Sequence, residues 1–132
     1  MEQSPLILYY IGDPKKEKLF REFCKRQNCR MRAISGQDMN KEVGYLAGIS
    51  PAAAGTSHGK MPEGFPVPEV LIFSGLSMDR LEVFLDAYKQ AGIPPVGLKA
   101  VLTEHNLRWT VYELTTELMK ERMAMMMNRR GS

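Results

Sequence analysis

The segment Thr103-Glu104-His105-Asn106 holds the residues of this sequence best suited to chemistry. A histidine placed just after a strand, at a helix N-terminus, is favoured in its neutral form, and the amides around it point at an anion. Catalysis needs a partner as well, and no nucleophile or carboxylate can be placed beside His105 from the sequence. Thr103 and Asn106 serve equally well as helix caps, with His105 exposed in the first turn. Trp109 reads as a packing anchor rather than a base-stacking platform.

Other constellations fail on their own geometry. Cys24 and Arg30 have the cysteine-five-arginine spacing of a phosphotyrosine phosphatase loop. That chemistry requires the thiol at a helix N-terminus, and Cys24 falls inside or near the end of a helix, so it reads as a small core residue. Cys24 and Cys29 lack the two-residue separation of a redox motif and suit reduced thiols. Gly55-Thr56-Ser57-His58-Gly59-Lys60 resembles a phosphate loop but is one residue short, has Met61 in place of the hydroxyl residue, and lacks the flanking strand and helix. His58, His105 and two cysteines give no metal-ligand spacing. No catalytic residue, metal or cofactor is assigned.

The elements that must carry these residues follow from hydrophobic periodicity. Leu6 to Ile11 is an apolar run, read as a strand buried on both faces, and Asp13-Pro14 opens a helix behind it. Leu19, Phe20, Phe23 and Cys24 form that helix's buried stripe, with Lys15, Lys16, Lys18, Arg21, Glu22, Lys25 and Arg26 in solvent. Arg30 and Arg32 alternate with smaller residues, as in an edge strand. Asp38 is expected to cap a short helix carrying Met39, Val43, Tyr45 and Leu46, which Gly44 weakens.

The second set is clearer. Val70 to Phe73 is a strand, and Ser77 caps a helix with Leu81, Phe84, Leu85 and Tyr88 on one face. Gly92 stops it, and Pro94 and Pro95 bar its continuation. Leu98 to Leu102 alternates as a strand half open to water. A last helix is expected from about Asn106 toward Met127, with Leu107, Val111, Leu114 and Leu118 inward. The strand ending in Ser74-Gly75, the segment Leu98-Lys99-Ala100-Val101-Leu102-Thr103, and Asn106 with Trp109 resemble a family of small bacterial proteins, Domain of Unknown Function 3783. Val43-Gly44-Tyr45-Leu46-Ala47-Gly48 resembles the front part of its full-length members. The resemblance implies a soluble intracellular α/β protein and carries no catalytic residue with it.

The two sets look like copies of one plan, about 5–47 and 68–127, within one domain of 132 residues. Four of eight prolines and four of eleven glycines lie between Gly48 and Pro68, so 48–67 is expected to be a flexible loop. The expected architecture is α/β, a four-stranded, mostly parallel sheet in order 2-1-3-4 with helices on both faces; the alternative is a ferredoxin-like antiparallel sandwich. Open α/β sheets bind ligands at the carboxyl ends of their strands. That edge would hold Gly12, Asp13, Ser35, Gly36, Ser74, Gly75, Ser77, Thr103, His105 and Asn106.

A net charge of +3 is too small to argue for nucleic acid. No stretch suits a signal peptide or membrane span, so a cytoplasmic location is expected. Half of the ten methionines fall between Met119 and Met127. Met119, Met123, Met126 and Met127 are therefore the expected contact with a second copy, another protein chain or the 48–68 loop, the alternative being a frayed chain end. A non-catalytic binding or assembly module is the first functional reading. A small-ligand or anion-binding protein, enzyme or not, is the second.

Overall fold

The computed structural model describes residues 5–49, 63–64 and 66–130, with side chains to Met127. The two apolar runs lie side by side as β1 (Leu6–Tyr10) and β3 (Val70–Ser74), flanked by β2 (Arg30–Ala33) and β4 (Leu98–Val101). The order is β2-β1-β3-β4, as expected, and β1·β2 and β3·β4 are parallel. The sheet is thus mostly parallel, as expected, with a single antiparallel pair, β1·β3, at its centre. Burial on both faces requires only that helices cover both faces, and it leaves the direction of the neighbouring strand open.

Alternate side chains of the strands feed two cores. On one face, α1 (Pro14–Arg26) and α3 (Met78–Gln90) bring Phe20, Phe23, Cys24, Leu81, Phe84 and Tyr88 onto Ile7, Tyr9, Leu71 and Phe73. On the other, α2 (Val43–Leu46) and α4 (Val111–Arg130) bring Val43, Leu46, Val111 and Leu114 onto Leu6, Leu8, Val70, Ile72 and Leu98. Each of these large side chains contributes about 1.5–3 kcal/mol by leaving water. The β1 and β3 strands are thus buried on both sides, whereas β2 is exposed along most of its length, as its arginines imply.

The two β-α-β units repeat the same bonds about a pseudo-two-fold axis between β1 and β3. Ile34 N donates to Tyr9 O at 2.8 Å, and Leu102 N donates to Phe73 O at 2.8 Å. Just beyond, Ser35 N donates to the Asp38 carboxylate at 3.0 Å, and Thr103 N donates to Asn106 Oδ1 at 2.9 Å. The axis passes between Leu8 and its partner Ile72, and again between Glu42 and Thr110, which form an antiparallel bridge under the second face. There Val43 N donates to Trp109 O at 2.9 Å and Gly44 N to Leu107 O at 2.7 Å. A Cβ on Gly44 would stand 2.7 Å from that same Leu107 carbonyl, so this glycine is needed for close approach of two segments of the chain.

Three helix readings change. Leu19 is 47% exposed, and Lys16 takes its place in the buried stripe of α1, four residues before Phe20. Asp38 accepts from Ser35 and Lys41 within a 3₁₀ turn at Gly36–Asp38, and the short helix starts only at Val43. The last helix starts at Val111 instead of Asn106. Asn106 folds the chain back after β4, and Thr110 makes the capping box with Glu113: Thr110 N donates to Glu113 Oε1 at 2.9 Å and Glu113 N to Thr110 Oγ1 at 3.1 Å.

Candidate functional site

The antiparallel centre decides where the expected site residues go. Tyr10 pairs with Val70 and Leu6 with Ser74, so the carboxyl ends of β1 and β2 lie at the edge where β3 and β4 begin. Gly12, Asp13, Ser35 and Gly36 therefore gather at one edge, and Ser74, Gly75, Ser77, Thr103, His105 and Asn106 at the other. A five-residue strand separates them by about 17 Å. One small ligand cannot engage both groups.

At the edge where β3 and β4 end, the polar groups serve the chain itself. Ser77 Oγ accepts from Arg80 N at 3.2 Å and caps α3, after Gly75 has turned the chain at φ 77°. Asn106 accepts from Thr103 N and donates through Nδ2 to Val101 O at 3.1 Å. His105 is exposed, its ring 5.3 Å from that of Trp109 in an edge-on contact. No described nucleophile or carboxylate is brought to it.

At the opposite edge the sequence reading missed the central group. Lys16 Nζ, buried within α1, donates to Glu69 Oε1 at 2.6 Å and to Pro95 O at 2.8 Å. Gly12 N donates to the other oxygen of Glu69 at 3.2 Å. This clamp ties α1 of the first unit to the start of β3 and to the loop before β4 of the second. The only signal in the sequence was the position of Lys16 on the stripe with Phe20 and Phe23. Asp13 Oδ1 accepts from Lys15 N at 3.0 Å, Ser35 closes on Asp38, and Gly36 borders open space.

Both cysteines are held toward the protonated thiol. Burial, with Cys29 nearby, pushes the Cys24 thiol up to about 12, and burial raises Cys29 as well. Both are free and buried, and Cys24 sits inside α1, away from any helix N-terminus. Tyr9 is pushed up by burial, although Arg21 donates to its hydroxyl and so opposes the shift, while its own hydroxyl donates to Glu17. Among the described residues no group of histidine, cysteine or carboxylate side chains could hold a metal ion, and no helix is long and apolar enough to cross a membrane. The segment 55–60, with its phosphate-loop likeness, lies outside the described residues.

These features define an α/β protein of two β-α-β-α units joined across an antiparallel strand pair, with Ser77 and Asn106 at one sheet edge and Lys16 and Glu69 at the other bonded within the chain. Residues 69–125, which make up most of the second unit, match the model of the domain of unknown function DUF3783. The match runs from the start of β3 into α4. No curated protein and no solved structure matches the chain.

Proposed function

We propose that this protein is a non-catalytic assembly module that pairs with a second copy through the distal part of α4. One observation carries the reading: α4 is 20 residues long, and its contacts with the core end at Leu118 and Met119. Met123, Met125, Met126 and Met127 beyond them are 52–68% exposed. Met119, Met123 and Met126 follow the four-then-three spacing of a coiled-coil seam, and Met127 widens the stripe. That stripe borders a groove of about 470 Å³ whose other wall is Pro68, Glu69 and Leu98. A distal helix from a second copy suits such a groove, because methionine adapts to an imperfect mate and a two-fold pairing buries both stripes at once.

The loss of a convergent polar site to opposite edges supports this reading over a small-ligand site at the strand ends. Amide exchange on the intact chain tests it. Assembly predicts slow exchange from Met119 through Met127 at high protein concentration, becoming faster on dilution. Rapid exchange of these amides at every concentration would rule it out.

A further inference from the structure

The second unit has a feature that the first lacks. In the first, α1 is followed directly by Gln27-Asn28-Cys29 and β2; in the second, α3 is followed by the longer loop Gly92 to Gly97 before β4. This loop is held from two sides. Tyr88 Oη donates to Pro94 O at 2.8 Å, and Lys16 Nζ donates to Pro95 O at 2.8 Å. Two consecutive prolines with bonded carbonyls make a wall whose position is fixed before anything binds. Between this wall, α3 and β4 lies a cleft of about 590 Å³, within the size range of small-ligand sites.

Its floor is core: Leu71 and Val96 are 1% exposed and Ile93 is 7% exposed, with Leu85 forming the near side. Its rim is charged. Lys89 comes from α3 and Lys99 from β4, against a single carboxylate, Asp86. Among the described residues neither lysine is ion-paired with a carboxylate, and the Lys99 ammonium donates to Val96 O at 3.2 Å. Lys99 stands beside Leu71 in the strand register, over the apolar floor. An apolar floor beneath two ammonium groups and one carboxylate matches a ligand with an apolar body and one negative head.

We propose that this cleft binds a small amphipathic monocarboxylate, with its apolar chain against Leu71, Leu85, Ile93 and Val96 and its carboxylate at Lys89 and Lys99. The site lies at the amino ends of β3 and β4 and is independent of the methionine stripe. Decanoate is the probe and decanol its uncharged control, titrated into the full chain while backbone amide resonances are followed. Decanoate is expected to give saturable shifts centred on Gly92 to Lys99, and decanol weaker ones. Lys89→Glu with Lys99→Glu, both exposed positions, should weaken decanoate roughly tenfold and leave decanol unchanged. Leu85→Trp, which fills the cleft, should abolish both. Lys99→Met, which keeps the side-chain stem, provides a milder charge-loss variant and should weaken decanoate alone. Absence of saturable shifts, shifts centred on Met119 to Met127, or equal decanoate affinity in folded charge variants would each overturn the proposal.

Discussion

Replacing Gly44 with alanine sets two effects of known size against each other. Gly44 lies in α2, where helix propensity alone favours alanine by about 1 kcal/mol. The structure opposes this, because the new Cβ would stand 2.7 Å from Leu107 O and 3.3 Å from both Leu107 Cβ and Cδ1. The nearest atom is backbone, held there by the Gly44 N–H at 2.7 Å and by the flanking bridge between Glu42 and Thr110. Relief requires the 103–109 segment to move, at about 1–3 kcal/mol for overpacking, with part of a hydrogen bond of about 0.5–1.5 kcal/mol lost besides. The net expectation is a loss of about 1–2 kcal/mol. Urea unfolding reads it directly: with a slope of about 1–3 kcal/mol per molar, the midpoint should fall by on the order of half a molar to one molar. Gly36→Ala, where no atom lies within 4 Å, is the control and should change stability by less than about 0.5 kcal/mol. A midpoint that rises in Gly44→Ala would show that helix propensity dominates and that the packing of the two units against each other at Leu107 is not tight.

The Lys16–Glu69 clamp predicts asymmetric costs. Glu69→Ala leaves a buried ammonium with one carbonyl partner and should cost about 2–3 kcal/mol, below the full buried-pair value because the Glu69 side chain is 33% exposed; Lys16→Met with Glu69→Leu should recover most of it in chemical denaturation. Burial would raise the Asp38 carboxyl, but the Ser35 backbone N–H and the Lys41 ammonium outweigh it and hold the group below its usual 3.8. Its stabilising effect is therefore present above about pH 4 and lost as pH falls through the lowered value, so Asp38→Asn should flatten the acid limb of a stability–pH curve. Burial pushes Tyr88 up to about 12, so its protonated hydroxyl stabilises the fold below pH 10 and that contribution is lost as pH rises toward 12; ultraviolet titration should show it ionising last, together with loss of structure. Iodoacetamide at pH 8 should leave Cys24 unmodified in the native protein and alkylate it in urea, as followed by mass spectrometry.

Much of the architecture was legible because it depends on local signals. The cap at Ser77, the stop at Gly92 with its φ of 73°, and the uninterrupted apolar runs of β1 and β3 each follow from residue type and period. The order 2-1-3-4 came from the same reasoning, since the two fully apolar strands must be central. The direction of β3 against β1 was not legible. Both directions bury the same side chains, so hydrophobic pattern does not distinguish them. The antiparallel central pair also divides the ten expected site residues between two edges, which a wholly parallel sheet would gather at one. Lys16 and Gly44 show the other limit. Both appear unfavourable in isolation, a charge on an apolar stripe and a glycine in a helix, and each is explained by a partner far away in sequence, Glu69 and Leu107.

Pairing of two copies of this chain through the exposed methionines of α4, as proposed above, has a direct readout in the mass of the particle. Multi-angle light scattering on the intact protein, beside a chain lacking Met123 through Ser132, tests it most directly. The expected result is a mass near twice 15.0 kDa for the intact chain at tens of micromolar and a monomer after truncation. A monomeric intact chain across that range, or a dimer that survives truncation, would contradict it.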